Sequence, residues 1–181
     1  VYTVTYSVRD ETGNAATATR TVTVVAVVAG EESFGEPVTY TNIATTLIGQ
    51  VSVNGKAAVA GDVVAIYVGE ELRGKNVVVL NAETAWVNVQ VHSAGGEETA
   101  TLKIYEASTG ITFEKVAVAG VLSAVVIEPD GVVGSFFGET LLISADNVAP
   151  AIVLLGGEEV SIIVGSEYED AGAIATDNVD G

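Results

Sequence analysis

Short runs of Val, Thr, Ile and Ala that alternate in period two, each soon cut by Gly or Asn, constrain this chain more than any other feature. At the start Tyr2, Val4, Tyr6 and Val8 alternate with Thr3, Thr5 and Ser7, as a strand with one buried face requires. Helical spacing of apolar residues is absent over any comparable length, so the expected class is all-β, with sandwich modules in tandem.

The turns divide the chain. Asp10 to Asn14 supplies turn chemistry between two alternating runs, so residues 1–28 read as a β-hairpin, a unit that is only marginally stable alone. The stretch 29–37, with Glu31, Glu32, Gly35 and Pro37, reads as a linker. Residues 38–145 read as a central sandwich with strands expected at 46–53, 63–68, 77–80, 85–91, 99–105, 111–118 and 140–144. Asn54-Gly55 is a strong hairpin signal, since both central positions of a type I′ turn need positive φ. Residues 146–181 form a last segment, with strands expected at 152–155 and 160–164 and an acidic loop after them.

Composition narrows the function classes. Seven Lys plus Arg against 24 Asp plus Glu give a formal net charge of −17, which repels nucleic acid and anionic membrane surfaces. With no Cys there is neither a disulfide framework nor a thiol nucleophile. The longest apolar runs, such as 116–127, are about a dozen residues, short of the ~20 a spanning helix needs. His92 is the only histidine and no Gly-x-Ser-x-Gly elbow occurs, so the expectation is a protein that is not an enzyme. The sequence does not start with Met, and it reads as a piece of something longer or a processed product.

Two end segments carry a more specific pattern. Pro150, an Ile-containing strand, Gly156-Gly157, a second strand, then Tyr168-Glu169-Asp170-Ala171-Gly172-Ala173 and Ala175-Thr176-Asp177-Asn178-Val179-Asp180-Gly181 resemble the opening half of bacterial immunoglobulin-like surface repeats, with Ala171 where that family often has Pro. Tyr2 to Tyr6, followed by Asp10, Gly13 and Asn14, resembles the closing half of the same repeat. Gly61 to Gly74 resembles a second bacterial extracellular β-sandwich module. The resemblance implies an extracellular or cell-surface location and immunoglobulin-like sandwiches. Two accounts of the divided repeat stand side by side: one period of a tandem array, or halves completed by neighbouring copies through strand addition.

Candidate residues follow from chemistry and place. Calcium takes several oxygen ligands from carboxylates, amides and carbonyls, so the metal candidates are Asp10, Asn14, Asp146, Asn147, Asp170, Asp177, Asn178 and Asp180. Solvated turn residues are the plainer alternative. Tyr2, Val4 and Tyr6 are candidates for assembly between copies, as are Phe136 and Phe137, which on a strand would face opposite sides. Trp86, Tyr67, Tyr105 and Phe113 read as core aromatics, with a sugar-stacking platform as the other option. Arg73 and Lys75 are a local basic pair, read as a dock for carboxylates of a next copy. The leading functional expectation is a repeating subunit of an extracellular fibre, stalk or surface filament; the alternative is an adhesin module for a glycan or host surface.

Overall fold

The computed structural model describes residues 2–9, 14–22, 33–41, 44–119 and 124–179. Among them the chain is all-β, with strands in four sheets and no helix. Strands β1 (Tyr2–Arg9) and β2 (Ala15–Val22) form a hairpin sheet of their own. The centre holds β3 (Thr45–Val53), β4 (Lys56–Ala57), β5 (Val63–Val68), β6 (Glu71–Val77), β7 (Val79–Asn81), β8 (Thr84–Val91), β9 (Glu98–Glu106), β10 (Ile111–Phe113), β11 (Val116–Val118), β12 (Val125–Ile127), β13 (Val132–Val133) and β14 (Leu141–Ala145). Strands β15 (Ala151–Leu154) and β16 (Ala173–Thr176) pair antiparallel in a further small sheet.

The central strands make two sheets that share one core. One runs β10-β9-β5-β6, with β12 also on β9; the other runs β11-β14-β3-β8-β7, with β4 and β13 also on β3. Alternation produces the packing. In β3, Leu47, Val51 and Val53 point inward between half-buried neighbours, and in β8 Ala85, Val87, Val89 and Val91 do the same. From the facing sheet Val64, Ile66, Ala100, Leu102 and Ile104 enter the same apolar cluster, which is the sheet-on-sheet solution to two apolar faces.

The Asn54-Gly55 turn has φ of 50° and 72°, the geometry its sequence demands. Several expected elements differ. The run expected at 111–118 is two strands, β10 on β9 and β11 on β14, because the chain changes sheets between Phe113 and Val116. Strand β6, with Glu71, Arg73 and Lys75, lacks apolar alternation and pairs with β5 nonetheless. The run 160–164 is no strand, having no ladder partner; β15 pairs instead with β16, inside what reads as a loop.

The outer face of β5 is also covered. Val63 and Ala65 are fully buried there, and residues 33–41 lie against this sheet. Phe34 sets its ring edge-on to Tyr67 and Tyr105 at 6.4 and 6.5 Å between centroids, and Val38 N–H donates to the Leu72 carbonyl at 2.8 Å. Part of the segment read as a linker thus packs on the sandwich. Residues 29–32 of it lie outside the described residues.

Buried polar groups staple the loops. Asp62 is 1% exposed, and its carboxylate accepts from Val59 N–H at 2.8 Å and Ala107 N–H at 2.9 Å. Asp62→Ala orphans both donors, and at about 1–3 kcal/mol each the expected loss is about 2–4 kcal/mol in urea-induced unfolding. Thr45, also buried, exchanges hydrogen bonds with the backbone of Glu128. This ties the start of β3 to the turn that leads into β13.

Candidate assembly surfaces and module junction

In the β1–β2 hairpin Tyr2, Val4, Tyr6 and Val8 lie opposite Val22, Arg20, Ala18 and Ala16, so these eight share one face. Thr3, Thr5, Ser7 and Arg9 with Thr21, Thr19, Thr17 and Ala15 make the other. One face is therefore apolar with a single Arg, and the other is rich in Thr. The apolar face is open: Tyr2 and Tyr6 are 55% exposed and Val8 is 68%. A sandwich layer normally hides such a face against a second layer.

The β15–β16 piece is open in the same way. Ile152, Val153, Leu154 and Ile174 are all exposed, as are Ile162, Ile163 and Val164 in the run between the strands. A mainly apolar depression of about 480 Å³ is lined by Leu154, Leu155, Val160, Ile162 and Tyr168, among others. Tyr168 donates its hydroxyl to Asp170 at 2.9 Å, and that bond raises the phenol's pKa above its ordinary value. Asp170 also accepts from Gly172 N–H at 2.7 Å.

Where β14 leaves the central sandwich, the chain meets the Asn54-Gly55 turn. Asn54 N–H donates to the Ala145 carbonyl at 2.9 Å, and Asn147 N–H donates to Asn54 Oδ1 at 3.1 Å. Asn178 Nδ2 reaches Asp146 Oδ1 at 3.4 Å, and the Asn178 carbonyl sits where a Cβ on Gly55 would be, 2.7 Å away. A positive-φ glycine is thus required twice at this turn, by conformation and by contact. The junction is pinned from both sides.

The metal candidates are dispersed by this arrangement. Asp146, Asn147 and Asn178 meet at the junction, whereas Asp170 and Asp177 cap local turns, Asp177 by accepting from Val179 N–H at 2.9 Å. Asn14 opens β2, while Asp10 and Asp180 lie outside the described residues. Among the described residues no three acidic or His side chains converge. The oxygen of Asp146 that faces the junction accepts from Val148 N–H and Asn178 Nδ2, which makes it part of a hydrogen-bonded turn.

Phe136 and Phe137 stand in a bend, not a strand. Phe136 leans on Trp86 at 5.1 Å between centroids, and Phe137 is 92% exposed. Trp86 lies on the outer face of β8, half-buried, while Phe113 is in the core and Tyr105 is buried beneath Phe34. Arg73 is not an external dock. It is 5% exposed, pairs with Glu71 and with Glu98 at 3.1 Å, donates to the His92 carbonyl, and lies 4.3 Å from the centre of the Tyr40 ring. Sequence reasoning missed this cluster because Tyr40 and Glu98 are far along the chain from Glu71 and Arg73. Lys75 stands 3.8 Å from Glu36.

Comparison with protein-family models, with curated proteins and with solved structures gives no match. Among the described residues no helix is long and apolar enough to cross a membrane.

Proposed function

We propose that this chain is a repeating structural component of an extracellular fibre, stalk or surface filament, built from immunoglobulin-like sandwich modules in tandem. The observation that carries the proposal is the pairing of a packed central sandwich with two β pieces whose apolar faces are open. Such pieces gain stability when a second layer covers them, at about 25 cal/mol for each Å² removed from water. Copies joined head to tail through these pieces propagate as a filament when the rotation does not close. The net charge of −17 keeps such an array dispersed except where faces match, and the pinned junction at Asn54-Gly55 holds successive modules in a fixed relation.

Sedimentation velocity and electron microscopy of the whole chain test this. The expected result is concentration-dependent association into elongated particles, lost in Tyr6→Glu and in Ile152→Glu, each of which places a charge in an apolar face. Calcium and a chelator belong in the same series: calcium held at the acidic junction between modules would give straighter particles with the ion than without it. Monodisperse monomers of the unaltered chain at every concentration would overturn the assembly reading.

A further inference from the structure

A different face of the central sandwich combines features that neither the core nor the two open β pieces use. On the outer side of the larger sheet Val79, Trp86 and Gln50 lie side by side across β7, β8 and β3, and Leu142 of β14 follows Gln50. Phe136 extends this row as a tilted ring against Trp86. Val79 is 59% exposed and Leu142 is 53%. The result is an aromatic and aliphatic step flanked on the same face by polar residues such as Thr46, Asn88 and Gln90.

A groove of about 410 Å³ opens beside the step, where the β7–β8 turn, β4 and β14 rise around the end of β3. Its polar lining comes from Gln50, Ser52, Lys56, Glu83, Thr84 and Ser144. None of these six side chains hydrogen-bonds or ion-pairs with another described residue. Among the described residues nothing occupies these donors and acceptors. The charges in the groove cancel, Lys56 against Glu83, on a chain whose net charge is −17.

These features select a ligand by chemistry. An anionic polymer is repelled by the field of the whole chain, and among the described residues lining the groove a cation finds no excess of carboxylate. An apolar ligand would leave the polar lining unsatisfied, at a cost for every group desolvated without a partner. A molecule with dense hydroxyls and an apolar ring face satisfies both halves of the site. Binding sites of this size combine an apolar platform with a few placed polar groups. We propose that the groove binds a neutral saccharide, one pyranose ring lying against Trp86 and Phe136 and the next offering its hydroxyls to Gln50, Glu83 and Ser144. This activity is independent of the assembly reading.

Trp86 is the only tryptophan, so its fluorescence reports on this face alone. The test is titration of the whole chain with cellohexaose, xylohexaose and mannohexaose, with polygalacturonate as the anionic comparison. The expected result is a saturable shift in Trp86 emission with at least one neutral oligosaccharide and none with polygalacturonate. The double variant Gln50→Ala, Glu83→Ala should raise Kd about tenfold or more with an unchanged melting temperature, since neither side chain belongs to the core. Phe136→Ala should weaken binding as well. No saturable shift with any of the three sugars, or a shift that survives the double substitution, overturns the proposal.

Discussion

Gly134→Ala should unfold the central sandwich at a much lower urea concentration than the unaltered chain, with a loss of about 3 kcal/mol or more. Gly134 has φ of 76°, and a Cβ there would stand 2.0 Å from the Ile48 carbonyl oxygen and 2.8 Å from Leu141 Cβ. The left-handed backbone alone costs a non-glycine residue about 1–3 kcal/mol, and forced overpacking adds about 1–3 kcal/mol. The backbone has little freedom to yield. Strand β13 pairs with β3 at Thr46 and Leu47, and β14 pairs with it from Gly49 onward, so the chain must leave and rejoin the same strand around Ile48. Gly138, with φ of 103° but open space around it, separates the two effects. Gly138→Ala should cost only the conformational part. Equal losses in the two variants would show that contact with Ile48 is irrelevant.

The second large effect is expected at Arg73. Removing one partner of a buried ion pair strands the other, at about 3–5 kcal/mol in a fully closed site. Here Glu71 is 38% exposed by its side chain and Glu98 16%, so solvent takes over part of the work, and Arg73→Met should cost about 2–3 kcal/mol. The same site sets a pH response. Burial opposes ionisation of Glu98, but Ala94 N–H, the Arg73 guanidinium and the Ser93 hydroxyl outweigh it and hold the carboxyl below its ordinary value of 4.5. A depressed folded-state pKa means that the stabilisation is fully present above the ordinary value and lost as pH falls through the folded one. Urea midpoints should therefore be flat near neutrality and drop below about pH 4.5, and Arg73→Met should flatten that acid limb. An unchanged acid limb in the variant would mean that Arg73 does not hold Glu98.

The parts of this fold that can be read from sequence are those where one face is buried and the other is not. Leu47, Val51 and Val53 against Ile48, Gln50 and Ser52 give β3, and the Asn54-Gly55 turn follows from backbone conformation alone. Strand β6 is hidden because its buried positions include Arg73 and Gly74. Arg73 is satisfied by Glu71 of the same strand and by Glu98, the His92 carbonyl and Tyr40 brought from elsewhere, and Gly74 is forced by the Gln90 carbonyl, 2.4 Å from where a Cβ would be. The short strands β12 and β13 exist through partners on β9 and β3 and have no pattern of their own. At the candidate surfaces, the alternation of Tyr2, Val4 and Tyr6 showed which face would be apolar. Which acidic residues meet is a matter of the junction's three-dimensional path, and it brings Asp146 to Asn178 while leaving Asp170 apart.

The position of β3 sets the order of events during synthesis. Among the described residues it is the first strand of the sandwich to emerge, yet its edge on one side is closed there only by β13 and β14, the latter some ninety residues later, through parallel pairs such as Ile143 with Val51. Until Ala145 is available the core lacks a wall, and pairings of such long sequence separation form slowly because loop closure precedes any gain. A nascent chain stalled before that point should remain protease-sensitive and competent to thread through a narrow channel. Once Ala145 is free, a single late closure should convert it to the folded sandwich.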